Sequence, residues 1–449
     1  MGLTSVIFLF FVMPVFFLIY YWVPNNKKNI FILLVSFLIL FWITPILSFV
    51  MLIIACVNFS LCFVMYKLYF LKDKRKYIFL MLIFMNLVAF GILLFFKLDR
   101  LVYLQEELLP KIMISLFVCS NISYILDVYL KKCRLQRNFI DFLTYVFFFP
   151  KLFAGPLVQY SSIESQLKNR KVIFQNVSEG MQLFVIGLAQ KCVLADSVNE
   201  AQKFVLYQTV NNISVSTAWL GAIVEFFYLY FYLYGYSNMA RGLGKMIGFE
   251  LPANFRAILP SNSVTNFFER WNISLLSCVR TYSKPFIKTS KLPIKIVLLF
   301  LGGLIYALFF GAGFSKCLAA VYFVVILALE RLFIFDILVK LPQLVRRIYT
   351  FLLVLIGTVL FWQNSIGESL TYVGAMFGEN RAFLDKSFIF FAKSFAFILL
   401  LCWLFSTNIV RNRVVGFKKK HKVTYYWMRY IFNLVLFVIS IAFCITRLT

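Results

Sequence analysis

Twelve apolar stretches, most close to twenty residues long, succeed one another along this chain, at 3–23, 30–43, 47–66, 77–96, 108–130, 177–194, 215–234, 294–310, 318–339, 344–362, 388–410 and 425–446. A helix rising about 1.5 Å per residue needs about 20 such residues to cross the hydrocarbon of a bilayer. Inside that hydrocarbon only helices and closed barrels satisfy their own backbone hydrogen bonds. The pattern therefore predicts an all-α polytopic membrane protein with roughly ten to twelve transmembrane helices. Composition agrees: 62% of residues are hydrophobic and 14% charged, where a globular domain has about a quarter charged. The segment 139–156 is too interrupted for a full span and reads as a re-entrant or broken helix.

One interval departs from this pattern. From Gly235 to Tyr282 the chain turns polar, with glycines, serines, asparagines, a Pro252-Ala-Asn-Phe255 turn, five basic residues and two glutamates. Polar groups at membrane depth are tolerated only where protein or a water-filled cavity satisfies them. This interval is where a site is expected. Pro150, Gly155, Pro156, Gly235, Gly242, Gly244, Gly248, Pro252, Pro260, Gly302, Gly303 and Gly311 cluster at the breaks of the surrounding helices, and such residues end or kink helices. The chain reads as one membrane domain, residues 1–449, with a core of broken helices at about 109–314 and ordinary spans at 1–100 and 318–449.

The net charge of +27 sits in short loops between spans, where membrane topology and anionic lipid headgroups account for it. No basic, aromatic-interleaved soluble segment exists to carry nucleic-acid binding. The basic clusters are 25–28, 72–76, 131–137 and 411–422, and the loops at 25–28, 72–76 and 411–422 are expected inside. That places the N-terminus and the 44–45 turn outside, and the C-terminus outside as well. The first span lacks a charged leading segment and a small-x-small cleavage site, so it reads as a retained helix. Nine cysteines are scattered without a Cys-x-x-Cys pair, and most read as small buried apolar residues. The single histidine, His421, lies among Lys418, Lys419, Lys420 and Lys422, so no metal site is expected.

Four blocks recur in a recognisable order. They are Asn121-Ile-Ser-Tyr-Ile-Leu-Asp-Val-Tyr129 with Gln136-Arg-Asn-Phe-Ile-Asp141 and Phe148-Phe-Pro-Lys-Leu-Phe-Ala-Gly-Pro-Leu157; Gly187-Leu-Ala-Gln-Lys-Cys-Val-Leu-Ala-Asp196; the polar interval; and Gly302-Gly-Leu-Ile-Tyr-Ala-Leu-Phe-Phe-Gly-Ala312 with Leu329-Glu-Arg-Leu332. The succession resembles the membrane-bound O-acyltransferase (MBOAT) family, in its alginate O-acetyltransferase branch. The tail at 347–357 and 370–378 resembles the same branch. The resemblance implies a ring of tilted helices around a central tunnel, in which an acyl donor from the cytoplasmic side (acyl-CoA or an acyl carrier) meets an outside acceptor. It implies no bound cofactor, contact with membrane lipid, residence in the inner (cytoplasmic) membrane, and an SGNH-type transferase partner that places the acyl group on a polysaccharide or cell-wall polymer. Site-shaping positions carried over from it are Gly235, Tyr236, Ser237, Asn238, Arg270, Trp271, Arg280, Tyr282 and Gly311.

The resemblance also marks departures. Where the family reads Arg-Trp-His-Ile-Ser-Leu this chain has Arg270-Trp-Asn-Ile-Ser-Leu275, and where it reads Leu-Trp-His-Gly-Ala this chain has Leu308-Phe-Phe-Gly-Ala312. Asn272 and Phe310 thus stand at the family's two histidine positions, and neither side chain accepts a proton at neutral pH. The family's acidic box reads Phe231-Tyr-Leu-Tyr-Gly-Tyr-Ser-Asn238, without its two aspartates. Substitute chemistry falls to Cys278, flanked in sequence by Arg270 and Arg280, or to Glu269 and Glu225. The bland readings are a small buried residue for Cys278, an ion pair with Arg270 for Glu269, an ion pair or helix cap for Asp196 after Lys191, and interhelical packing for Tyr232 and Tyr236. Three functions stay open: an O-acyltransferase with displaced chemistry, a catalytically silent scaffold of the same pathway, and a lipid or acyl conduit without chemistry.

Overall fold

The computed structural model describes residues 2–68, 71–95, 108–206, 213–289, 292–311, 313–363, 365–378 and 382–446. Among them, 10 helices are long and apolar enough to cross a membrane, and Phe8–Trp22 and Leu299–Phe309 are shorter apolar helices. The end of the 77–96 stretch and Ala312 lie outside the described residues. All the described secondary structure is helical, as the span pattern predicts. The chain divides into two compact units. One comprises Met1–Phe184, Tyr236–Pro252 and Phe309–Gly311; the other comprises Val185–Gly235, Ala253–Leu308 and Ala312–Thr449.

In the first unit three spans, Pro45–Lys67, Lys72–Phe95 and Leu108–Tyr129, are joined by buried carboxamides. Asn58 donates to Asn86 and to Asn121, each at 3.1 Å, and Asn86 donates back to Asn58 at 2.7 Å. Where lipid supplies no hydrophobic drive between helices, such bonds are part of what holds them in register.

The segment expected to be broken is so. Asn138 caps a nine-residue helix, Phe139–Phe147, by accepting from the Ile140 amide at 3.0 Å. Phe148 leaves helical geometry, and Pro150 starts a four-residue helix, Phe149–Leu152. Lys151 on that short helix is only 1% exposed. Its ammonium donates to the Tyr145 carbonyl at 2.7 Å and lies 4.1 Å from the centre of the Tyr145 ring. Burial pushes its pKa down to about 7.

That shift has a definite sign in stability. A lysine whose folded pKa is depressed binds fewer protons folded than unfolded, between about 7 and its ordinary value near 10.5. The burial penalty is fully present below about pH 7 and is relieved as pH rises through that window. Lys151→Met is therefore expected to raise the thermal midpoint of the detergent-solubilised chain at pH 6–7. It should also reduce the rise in midpoint between pH 7 and 9.5. A wild-type profile that the substitution leaves unchanged would contradict the assignment.

The polar interval does not begin with a break. A single 32-residue helix, Val215–Met246, runs straight through Gly235. The sequence pattern ends that helix at Tyr234; the structure corrects it, because the glycines serve close approach rather than termination. In the second unit, a Cβ on Gly235 would lie 2.7 Å from the Gly187 carbonyl oxygen and 2.9 Å from the Lys191 amide nitrogen. In the first unit, a Cβ on Gly242 would lie 2.5 Å from the Gly180 carbonyl oxygen. Both are helix-on-helix contacts that only a residue without a side chain allows. The facing helix contains a π-helical turn, Gln190–Ala195, beside which the buried Lys191 and Asp196 pair at 3.1 Å.

Candidate active-site turn

The chain is non-helical over residues 247–263. Each backbone group that leaves the helical ladder must find another partner. Asn254 takes several. Its carbonyl accepts from the Ile273 amide at 2.8 Å, and its side-chain oxygen accepts from the Ser274 amide at 3.1 Å and the Ser274 hydroxyl at 2.8 Å. The Arg256 amide donates to the Arg270 carbonyl at 2.9 Å, and the Tyr230 hydroxyl donates to the Arg256 carbonyl at 3.0 Å. Arg270 reaches the Ala257 carbonyl at 3.1 Å and the Asn266 side-chain oxygen at 3.2 Å. Burial, together with the like charges of Arg256 and Arg347, lowers the pKa of its guanidinium.

A five-residue helix, Val264–Phe268, follows, and its start is held from another element. Glu330, itself 2% exposed, accepts from the Val264 amide at 2.7 Å, the Thr265 amide at 2.9 Å and the Thr265 hydroxyl at 2.9 Å. Ser263 adds the local cap, accepting from the Asn266 amide at 3.0 Å. Glu330→Ala leaves three donors without their acceptor in a buried place, so it is expected to cost about 3 kcal/mol or more. The corresponding reading is a lowered thermal midpoint, with Glu330→Gln intermediate; an unchanged midpoint for both variants would remove the clamp from the account.

Between this short helix and Ile273–Thr289 stands Asn272, with φ +46. Left-handed backbone costs most residues about 1–2 kcal/mol and is adopted several-fold more often by Asn, Asp and His than by others. The Trp271 indole donates to the Tyr306 hydroxyl at 2.6 Å, and the Asn272 side chain is hydrogen-bonded to the same hydroxyl. Trp271 also stacks on Phe267 at 5.5 Å and on Tyr230 at 6.1 Å. The result is a buried phenol oxygen held by two side chains from the turn. It orders the turn and could polarise an oxygen, but neither Trp271 nor Asn272 can remove a proton from one. Asn272→Ala is expected to cost about 1 kcal/mol in stability, and Asn272→His less, because histidine tolerates this backbone. Equal losses for the two, measured by thermal unfolding in detergent, would show that conformation is not what the position selects.

The other residues singled out by sequence separate into two groups. Gly235, Arg270, Trp271, Asn272, Cys278, Glu269, Arg280 and Tyr282 belong to the second unit; Tyr236, Ser237, Asn238, Phe310 and Gly311 belong to the first. Glu269 faces Arg280 at 3.8 Å, not Arg270 as its place in the sequence suggests. Both side chains of that pair are about half exposed or more, at 48% and 61%, so the pair contributes little. Cys278 is buried. Glu225 is 2% exposed, and neither carboxyl oxygen has a hydrogen-bond partner among the described residues. In the first unit Phe310 is 1% exposed, and Gly311 has φ +97 with Lys111 packed where a Cβ would sit. The Ser115 hydroxyl donates to the Phe309 carbonyl at 2.7 Å. Asn238 accepts from Arg241 at 3.2 Å, and Tyr236 and Ser237 are buried. Among the described residues no cluster of three or more His, Cys, Asp or Glu side chains could hold a metal ion.

Sequence reasoning missed Asn254, Tyr306 and Glu330 as organisers of the turn. Their signal was present, since each is a polar residue in an apolar or proline-bounded context, but their partners lie 20 to 66 residues away.

Helices of this length and apolarity, interrupted by a hydrogen-bonded polar turn, define a multi-pass membrane protein with a broken-helix core. The family model described as "MBOAT, membrane-bound O-acyltransferase family" matches residues 63–300. This protein belongs to that family. Among its relatives, a probable alginate O-acetylase of Pseudomonas putida is 35% identical over 282 residues, covering 61% of this chain and 56% of the relative. A peptidoglycan O-acetyltransferase of Helicobacter pylori is 29% identical over 203 residues, covering 39% and 38%. A teichoic acid D-alanyltransferase of Bacillus subtilis is 24% identical over 148 residues, covering 31% and 36%. The chain thus spans about half the length, or less, of the curated relatives it matches.

Proposed function

We propose that this chain is a membrane-bound O-acyltransferase-type component of a pathway that O-acylates a cell-surface polysaccharide or cell-wall polymer. The observation that carries this reading is the turn at 254–274, built around Asn254, Arg270 and Trp271, on a chain that belongs to this family. The related proteins named above are described as a probable alginate O-acetylase, a peptidoglycan O-acetyltransferase and a teichoic acid D-alanyltransferase. In this reading an acyl-CoA or acyl-carrier donor is used on the cytoplasmic side of the cytoplasmic membrane, the N-terminus lies outside, and an SGNH-type transferase completes delivery on the far side.

A second reading, a catalytically silent scaffold of the same pathway, is favoured by one observation. Asn272 and Phe310 occupy the positions that the resemblance assigns to histidines, and neither can act as a general base. Both readings require the chain for surface acylation. Deleting the gene is expected to remove alkali-labile acyl groups from the surface polymers of the cell, with restoration by the unaltered chain. Unchanged acyl content in the deletion strain would overturn both.

A further inference from the structure

Among the described residues, the last of the 10 candidate spans, Lys422–Ile445, is the least covered: 6% of its apolar window is buried. A helix that faces lipid on nearly all sides has little to hold it, because lipid supplies no hydrophobic drive between helices. Two of its side chains are buried, Ser440 and Cys444. The Ser440 hydroxyl donates to the Leu436 carbonyl at 2.7 Å, within its own helix. Cys444 reaches further: its Sγ lies 2.9 Å from the Sγ of Cys192.

Cys192 sits in the π-helical turn Gln190–Ala195, against which the last span packs in the second unit. A π-helical turn opens the helix by one residue and is frequent at functional positions. The same turn presents Lys191 to Asp196 at 3.1 Å, so a buried ion pair fixes its geometry. Cys192 is 1% exposed and Cys444 9%, and both are thiols. They stand 252 residues apart in sequence, so the tertiary packing of the span on the turn sets their approach. Two sulfurs facing each other across packed helices are what a disulfide requires of its partners. Cys444 also stands one residue from the end of its helix. The basic loop at 411–422 ahead of the span is expected inside, which puts Cys444 at the outer end, on the side where disulfides persist.

We propose that Cys192 and Cys444 form a redox-active pair whose disulfide locks the last span onto the π-helical turn. The oxidant is a small disulfide. The Cys444 thiolate, at the more exposed sulfur, attacks one sulfur of that disulfide and expels a thiolate, giving a mixed disulfide. The Cys192 thiolate then attacks the Cys444 sulfur and expels the second thiolate. The two protons lost by the cysteines are taken up by the two departing thiolates; the chain loses two electrons and the oxidant gains them. A bond that closes so long a loop constrains the unfolded chain strongly. The proposal is independent of the acyl-transfer reading, since it concerns the thiols alone and is read without donor or acceptor.

The test uses the full chain, purified in a neutral maltoside detergent under reducing conditions and then exchanged into bis(2-hydroxyethyl) disulfide. Remaining thiols are blocked with iodoacetamide after denaturation, and the chain is digested and mapped by mass spectrometry without reductant. A cross-linked peptide joining Cys192 to Cys444 is expected as the main disulfide within the chain, and dithiothreitol should remove it. The oxidised chain should melt at least about 4 °C above the reduced chain. Cys444→Ser should lose both the peptide and the response of the midpoint to oxidant, whereas Cys56→Ser, on a half-buried cysteine of another span, should keep both. The wild-type map needs no variant, so poor folding of Cys444→Ser does not blunt the test. Cys192 and Cys444 both found alkylated after oxidation, or linked chiefly to other cysteines, overturns the pairing. A linked pair with no rise in midpoint, or a rise that Cys444→Ser retains, overturns the lock.

Discussion

Gly242→Ala is expected to abolish accumulation of the folded protein, although it adds a single methyl group to a helix interior. Alanine ordinarily favours a helix by up to about 1 kcal/mol over glycine. Here its Cβ would lie 2.5 Å from the Gly180 carbonyl oxygen and 2.6 Å from the Phe184 amide nitrogen. The obstacles are backbone atoms of another helix, so no side chain can rotate away and the helices must separate. Overpacking of this kind costs about 3 kcal/mol or more, which outweighs the propensity gain. Gly235→Ala should behave similarly against Gly187 and Lys191. Gly91→Ala is the control, since nothing lies within 4 Å of its Cβ. Size-exclusion profiles of the solubilised variants are expected to show aggregation for Gly242→Ala and a wild-type peak for Gly91→Ala. A monodisperse, wild-type-stable Gly242→Ala protein would show that the close approach is not required.

The second large effect concerns chemistry. General acid–base catalysis by a positioned side chain contributes about 10²–10⁴-fold in rate, and histidine is the side chain whose ordinary pKa suits neutral pH. If the proposed acyltransferase reading holds, introducing imidazoles with Asn272→His and Phe310→His together is therefore expected to raise acyl transfer by two orders of magnitude or more. The backbone at 272 accepts histidine, because φ +46 lies in a region that both Asn and His tolerate. Phe310 is fully buried, so its replacement carries the larger folding risk, and the two single variants separate that risk from the chemistry. A folded double variant with unchanged transfer would mean that these positions do not hold the proton-transfer step.

The sequence made some of this legible and concealed the rest for identifiable reasons. The spans were readable because a lipid-facing helix needs only a local property, about twenty consecutive apolar residues. The break at Pro150 was readable because proline acts on its own backbone. The course of Val215–Met246 through Gly235 was not. Glycine weakens a helix in isolation, and only the neighbouring Gly187 carbonyl reveals that its missing side chain is what permits the packing. The pairing of Glu269 with Arg280 rather than with Arg270 was hidden in the same way. Adjacent residues on a helical turn do not face each other, while Arg270 is drawn off to the Ala257 carbonyl and Asn266. Glu330 stands beside Arg331 in an apolar stretch that says nothing of its partners; its three donors come from a segment more than sixty residues earlier. The polar interval told where the turn would be, and the structure told what each polar group is for.

The most direct test uses everted membrane vesicles with acceptor polymer and the proposed SGNH-type transferase trapped inside and labelled acetyl-CoA, the proposed donor, supplied outside. The account predicts that label reaches the trapped polymer only when this chain is present, and that Gly242→Ala vesicles behave like vesicles lacking it. Equal labelling with and without the chain would contradict its assignment to surface-polymer acylation.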